Sequence, residues 1–337
     1  MTIAPCTVSI IIPAYNRVGP LRHTLASAGH SADLLGEAVE ILVVDDGSEP
    51  PLAAVLTGLP PGGRVRLIRQ ANQGSIVARL AGLRAARGEF VLFLDSDDLI
   101  APAKLSEHVS LLRAQSADIS YDDLGLAGPD GTVSTRSQLP AVAAVEELVL
   151  RVQPAPHGPI YRRSYLNAAL DPPLLPLLRE CDAVGDIWLY YNLCIHPARI
   201  GKVAAPLTLI GEHGEDRYSR HWERLGFASL GVMETFMQRC PVNPATAAAR
   251  RLVGECAFNS WRRLPRGFEP DFGRRLLALW HAAPDHAAMW LGGSVFRALS
   301  KVFGRVGAGR ILRLRNAPYA RIRTVDDAEL ARLRGSR

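Results

Sequence analysis

Two acidic groups stand directly after short apolar runs. Asp45-Asp46 follows Glu40-Ile-Leu-Val-Val44, and Asp95-Ser96-Asp97-Asp98 follows Phe90-Val-Leu-Phe-Leu94. Carboxylates gathered this way repel one another, and a bound cation or a donor-rich ligand is the economical explanation. Asp95 and Asp97, two residues apart on a turn, can both face one divalent ion. Hard oxygen donors suit Mg²⁺ or Mn²⁺, which take one or two carboxylates and complete their shell with substrate phosphates. Asp95-Ser-Asp97-Asp98 also has the composition of a turn and helix N-cap. Taken with the other acidic pair, it points to metal-bridged binding of a diphosphate.

The elements that must position these residues alternate. Val8-Ser-Ile-Ile-Ile12 reads as a buried strand and Glu40–Val44, Val65–Arg69 and Phe90–Leu94 as the strands that follow, with helices expected over 17–29, about 50–58 and 74–86. Pro60-Pro61-Gly62-Gly63 reads as a turn. This βαβ pattern implies a mostly parallel sheet flanked by helices, a Rossmann-like half whose ligands bind beyond the carboxyl ends of the strands. Pro13-Ala-Tyr15-Asn16, Asp45-Asp46-Gly-Ser48 and Asp95–Asp98 then share one rim. Further on, 118–136 reads as a hairpin turning near Gly128-Pro-Asp-Gly131, 186–195 as a helix, 200–210 as a last strand, and the chain beyond about 220 as wholly helical.

The 337 residues suit two domains and are 48% apolar and 21% charged, a globular composition. No run approaches the roughly 18–20 apolar residues that cross a bilayer. The opening segment lacks a basic n-region, and its apolar run is broken at Pro13, so no signal peptide is expected. Five cysteines without C-x-x-C spacing read as reduced cytosolic thiols. The net charge of +6 is unevenly placed: residues 296–337 hold 11 basic against 3 acidic residues. Nucleic acid is disfavoured, because the rest is slightly acidic and no basic patch is interleaved with aromatics.

G-x-G-x-x-G is absent after the first strand and G-x-x-x-x-G-K-[ST] is absent throughout, which disfavours a dinucleotide dehydrogenase and a P-loop phosphotransferase. A nucleotidyltransferase that makes sugar nucleotides would keep the acidic rim but calls for a basic glycine-rich loop after the first strand. A non-catalytic glycan-binding module is the third alternative.

An ordered series of motifs resembles the inverting family 2 glycosyltransferases of GT-A fold: Val8-Ser-Ile-Ile-Ile-Pro13-Ala-Tyr15-Asn16, Ile41-Leu-Val-Val-Asp45-Asp46-Gly-Ser48, Asn72-Gln73-Gly74 with Ala78-Arg79, Gly88-Glu-Phe90 and Phe93-Leu-Asp95-Ser96-Asp97-Asp98. The likeness covers about the first 215 residues. It implies a metal-dependent transfer from a nucleoside-diphosphate sugar to a hydroxyl of a glycan or lipid-linked saccharide, with Mn²⁺ or Mg²⁺ as cofactor. Polysaccharide, lipopolysaccharide or cell-wall assembly in a bacterium is the implied setting. Pro13, Tyr15, Asn16, Asp46, Gln73, Gly74, Arg79, Asp95 and Ser96 are implied donor-binding residues. Asp97 is implied as direct metal ligand, with Asp95 beside it. The implied base is Asp186, reached through Ile160-Tyr-Arg-Arg-Ser-Tyr-Leu166 and then Val184-Gly-Asp186-Ile-Trp188; Glu180 and Asp182 are the alternatives. Gly185 stands where many relatives carry a glutamate. His213 is either a further metal ligand or a lone surface histidine, and the loop 211–220 has the composition of a closing loop. Trp188 suits either stacking on an acceptor sugar or core packing.

The expected division is a catalytic domain over 1–218, with a donor-binding half (1–100) and an acceptor-side half (101–218), followed by a helical region over 219–337. In the tail, Arg297, Lys301 and Arg305 form one basic helical stripe beside Val295, Leu299, Val302 and Val306, with Phe296 and Phe303 adjacent. Such a helix suits peripheral contact with an anionic membrane or packing onto the catalytic domain. The chain is accordingly expected in the cytoplasm or on the inner face of the cytoplasmic membrane.

Overall fold

All seven side chains of β1 (Val8–Ala14) are buried, as expected of a strand with neighbours on both edges and helices over both faces. In the computed structural model, which describes residues 6–56, 63–127, 133–177, 179–210, 221–284 and 292–335, β1 lies between two parallel strands. The first half of the molecule runs β1, α1 (Val18–Leu35), β2 (Val39–Asp45), α2 (Leu52–Val55), β3 (Val65–Arg69), α3 (Ser75–Ala85) and β4 (Phe90–Phe93). The strand order is β3-β2-β1-β4, parallel throughout, as the alternating pattern requires.

Strand periodicity decides what covers each face. Val8, Ile10 and Ile12 of β1 join Leu21, Leu25, Ala28 and Ala32 of α1 in one core. Ile11 points the other way, onto α3, where a Cβ at Gly82 would lie 2.3 Å from its Cγ2. The small residue lets helix and strand approach.

Beyond β4 the sheet becomes mixed. It continues through β5 (Leu99–Ile100), α4 (Lys104–Ala114), β6 (Ile119–Ala127), β7 (Val133–Ser137), α5 (Val145–Glu147) with a π-helical turn, β8 (Ile160–Arg162), α6 (Arg163–Leu170), α7 (Gly185–Leu193) and β9 (Ile200–Ile210). β8 is antiparallel to β4 and β6, while β9 is parallel to β6 and antiparallel to β5. β6 and β7 form the expected hairpin, and β9 is the expected last strand. The turns read at 60–63 and 128–131 lie largely or wholly outside the described residues. Two- and three-residue strands such as β5 and β8 carry no periodicity, and the sequence reading missed both.

The chain falls into two compact units, Met1–Glu215 and Asp216–Arg337. The described part of the second is entirely helical: α8 (Trp222–Arg239), α9 (Ala247–Arg263), α10 (Pro270–Ala282), α11 (Ser294–Arg313), α12 (Tyr319–Ile322) and α13 (Asp327–Gly335). Its core is aromatic, with Phe258 against Trp261, Trp280 and Phe296. One expectation for the tail needs correction. Gly304 takes a non-helical conformation inside α11, so Arg305 does not continue the stripe of Arg297 and Lys301 on one regular helix. Phe296 is buried beneath the Arg262 guanidinium.

Candidate active site

The carboxyl ends of β1, β2 and β4 converge, and their acids divide into those that build loops and those left to meet a ligand. Asp45, the last residue of β2, is a builder. It accepts hydrogen bonds from the Ser48 amide (2.8 Å), the Leu52 amide (3.0 Å) and Arg69 (2.8 Å). Burial pushes its carboxyl up, but these donors outweigh burial and hold it below the usual carboxylate range. Asp46 accepts from the Gln70 side chain (2.8 Å) and from the amides of Gln73 (2.9 Å) and Gly74 (2.8 Å). Three donors leave one of the four acceptor positions of that carboxylate.

Asp46 thereby pins Gln73 and Gly74 over the rim. Gly74 precedes α3 at φ +94°, and a Cβ there would lie 2.7 Å from the Asp182 carboxylate. Both the backbone sign and the space demand glycine. Asp182 accepts from Ser75 Oγ (2.8 Å) and the Ile76 amide (3.0 Å), closing the first turn of α3 from more than a hundred residues away. As an alternative base it is already engaged. The Glu180 side chain, His213 and the loop 211–220 lie outside the described residues.

At the end of β1, Pro13 is buried in the strand and Tyr15 is 49% exposed, so its ring does not cap the core. Asn16 adopts a left-handed conformation that asparagine tolerates; its amide donates to Ser48 Oγ and its Oδ1 accepts from the Glu49 amide.

The acids after β4 each meet a partner from this chain. Arg79 donates to Asp95, and Arg17 donates to Asp97. Asp98 Oδ2 lies 3.2 Å from Nδ1 of His157, a fully buried ring whose Nε2 donates to the Leu209 carbonyl of β9 (3.1 Å). Burial pushes Asp95 up, yet the charge and hydrogen bond of Arg79 hold it down. Ser96 is buried between them. Arg79 and Arg17 thus offset the charges of Asp95 and Asp97 from within the chain. The donor set still fits a divalent ion. Asp95 and Asp97 keep 29% and 23% side-chain exposure, which leaves two hard carboxylates within reach of solvent. That suits an ion which takes one or two carboxylates and draws its other ligands from phosphate and water.

Asp186 sits in the first turn of α7 behind the cap residue Val184, and its carboxylate accepts no hydrogen bond among the described residues. It is an acid in the favourable field of a helix N-terminus, not the cap itself. Arg79 links it to the rim. This guanidinium is buried and bonded to Asp95, and Asp186 and Asp182 both add to the charge that keeps it protonated against burial. A Cβ on Gly185 would lie 2.9 Å from Arg79 Nη1 and 3.2 Å from Ile76, so glycine lets α7 close on α3. Trp188 is core, 2% exposed, with Nε1 donating to the Pro176 carbonyl, which overturns the acceptor-stacking alternative.

Beneath the rim lies a cluster that the sequence reading missed. Lys104 Nζ donates to Asp122 (2.7 Å), the Gly158 carbonyl (2.8 Å) and Thr208 Oγ1 (2.9 Å), with no exposure at either charge. It ties α4, β6 and β9 to the loop that carries His157.

The sequence profile described as glycosyl transferase family 2 matches residues 9–171. The succinoglycan biosynthesis protein ExoO of Rhizobium meliloti is 36% identical over 125 residues, 37% of this chain and 35% of that protein. The putative glycosyltransferase EpsH of Bacillus subtilis is 26% identical over 239 residues, 68% of this chain and 67% of EpsH. The match thus spans about a third of one relative and two thirds of the other. Among solved structures, Staphylococcus aureus TarS in complex with UDP-GlcNAc superposes with TM-score 0.63 at 17% identity, covering 95% of this chain and 93% of that one. A Pyrobaculum calidifontis mannosyltransferase in complex with GDP-Man and Mn²⁺ gives 0.52 at 17% identity, covering 93% and 90%.

Proposed function

Given that the chain belongs to glycosyl transferase family 2, we propose that it moves one sugar, with inversion, from a nucleoside-diphosphate donor to a hydroxyl of a glycan or lipid-linked saccharide. The observation that carries this reading is the convergence at Arg79: one buried guanidinium binds Asp95 on the donor rim and lies in the field of Asp186, the uncommitted carboxylate of α7.

In this reading residues 1–218 are the catalytic domain, and 219–337 are an appended helical region. Tyr15 and Pro13 face the nucleobase and ribose, with Asn16 setting the turn that presents them. Asp46 spends its remaining acceptor position on the base. Gln73 and Gly74 bring backbone to the donor, while Asp95 and Ser96 lie along the ribose and diphosphate. Asp97, with Asp95, would hold Mn²⁺ or Mg²⁺, which when bound supplies positive charge to the leaving diphosphate. Asp186 removes the proton from the acceptor hydroxyl as that oxygen attacks the anomeric carbon.

The ExoO relative and the lipid-linked acceptors that the resemblance implies support a setting in bacterial polysaccharide assembly. No described helix is long and apolar enough to cross a membrane. Peripheral contact with the inner face of the cytoplasmic membrane is assigned to the start of α11, where Val295, Val302 and Phe303 are exposed beside Arg297 and Lys301.

A thermal-shift series with UDP, GDP and dTDP sugars, with and without Mn²⁺, tests the reading. The true donor raises stability by about 2.7 kcal/mol at a hundredfold excess over its dissociation constant. Asp97→Ala should abolish the Mn²⁺-dependent part. A series in which no nucleotide sugar shifts the transition would refute the assignment.

A further inference from the structure

The three partners of the acids after β4 are not equivalent. Arg79 is buried behind α7, with 10% side-chain exposure. His157 is sealed, and its second nitrogen is fixed to β9. Arg17 stands just before α1 with 34% side-chain exposure, and it places its guanidinium on Oδ2 of Asp97, itself 23% exposed.

We propose that Arg17 is a built-in counter-ion that occupies the cation position on Asp97 until a nucleoside diphosphate draws it away. This rests on the donor-and-cation reading given above. A guanidinium and a divalent ion compete for one carboxylate oxygen, and their like charges repel across it. Diphosphate oxygens offer Arg17 a better partner, because the planar guanidinium forms paired charge-assisted bonds to phosphate. The nucleotide therefore frees Asp97 as it arrives, and cation and donor bind with positive coupling. Arg79, bonded to Asp95 and packed against the backbone of Gly185, stays in place and keeps Asp95 paired during the exchange.

The test is Mn²⁺ titration of the full-length protein, followed by the electron paramagnetic resonance signal of free Mn²⁺, alone and with saturating UDP or GDP. Wild type should bind Mn²⁺ weakly alone and more tightly with its nucleotide. Arg17→Met should bind Mn²⁺ alone about tenfold more tightly and lose about the same factor of coupling, since linkage is reciprocal. Arg17→Gln, which keeps donors without charge, should behave likewise, and Arg17→Lys should fall between. If both neutral variants melt as wild type and bind Mn²⁺ alone no more tightly, the assignment of Arg17 is overturned. If wild type takes up no Mn²⁺ with either nucleotide although one of them binds, the cation reading falls, and this proposal with it. If neither nucleotide binds, the donor reading falls too.

Discussion

Asp122 and Asp97 are both carboxylates paired with a cation of the same chain, and their surroundings differ in every other respect. Asp122 receives Lys104, Thr208 Oγ1 and the Leu207 amide, and it is sealed with Lys104 from solvent. Asp97 faces an arginine that is itself partly open to water. A dry, saturated carboxylate has no better partner to find, so it fixes the fold. An accessible pair can trade one partner for another at little desolvation cost, which is what a ligand site requires.

Four measurements break or sharpen this contrast. The largest effect is expected at Asp186, where Asp186→Asn should lower turnover by about 10²- to 10⁴-fold with the melting temperature and donor affinity retained. Full activity in that variant would move the base elsewhere. On the saturated side, Lys104→Met strands a buried carboxylate and should cost about 3–5 kcal/mol in chemical denaturation, most of it recovered in Lys104→Met/Asp122→Leu.

A third test uses pH. Burial first, and then the charge of Lys104, push the buried His108 ring from 6.5 to about 4. Between those values the unfolded chain takes up a proton that the folded one refuses. Stability should therefore fall as pH drops from 6.5 towards 4, by up to about 3 kcal/mol, and His108→Gln should flatten that slope. Asp122, held below the usual carboxylate range by Lys104 against the push of burial, should release its own contribution only at lower pH. The smallest change in stability belongs to the exposed tail. Val302→Ser/Phe303→Ser should alter unfolding by no more than about 0.5 kcal/mol, while reducing co-sedimentation with anionic vesicles and leaving neutral ones unaffected.

The parallel half of the sheet was legible residue by residue. Strands buried on both faces read as unbroken apolar runs, so the acids that follow them mark one rim. The helix that carries Asp186 was legible as well. These are short-range signals, carried by neighbours in sequence and readable without any fold. The pairing of Arg17 with Asp97 across 80 residues, of Asp182 with the α3 N-terminus across 106, and of His157 with Asp98 was not legible. Nor was the break at Gly304, which divides a stripe that looked continuous. A charged side chain finds its partner only once packing has brought distant elements together. The types of the chemical groups and their rim were therefore written in the sequence, whereas which charges are locked and which are exchangeable was decided by tertiary burial.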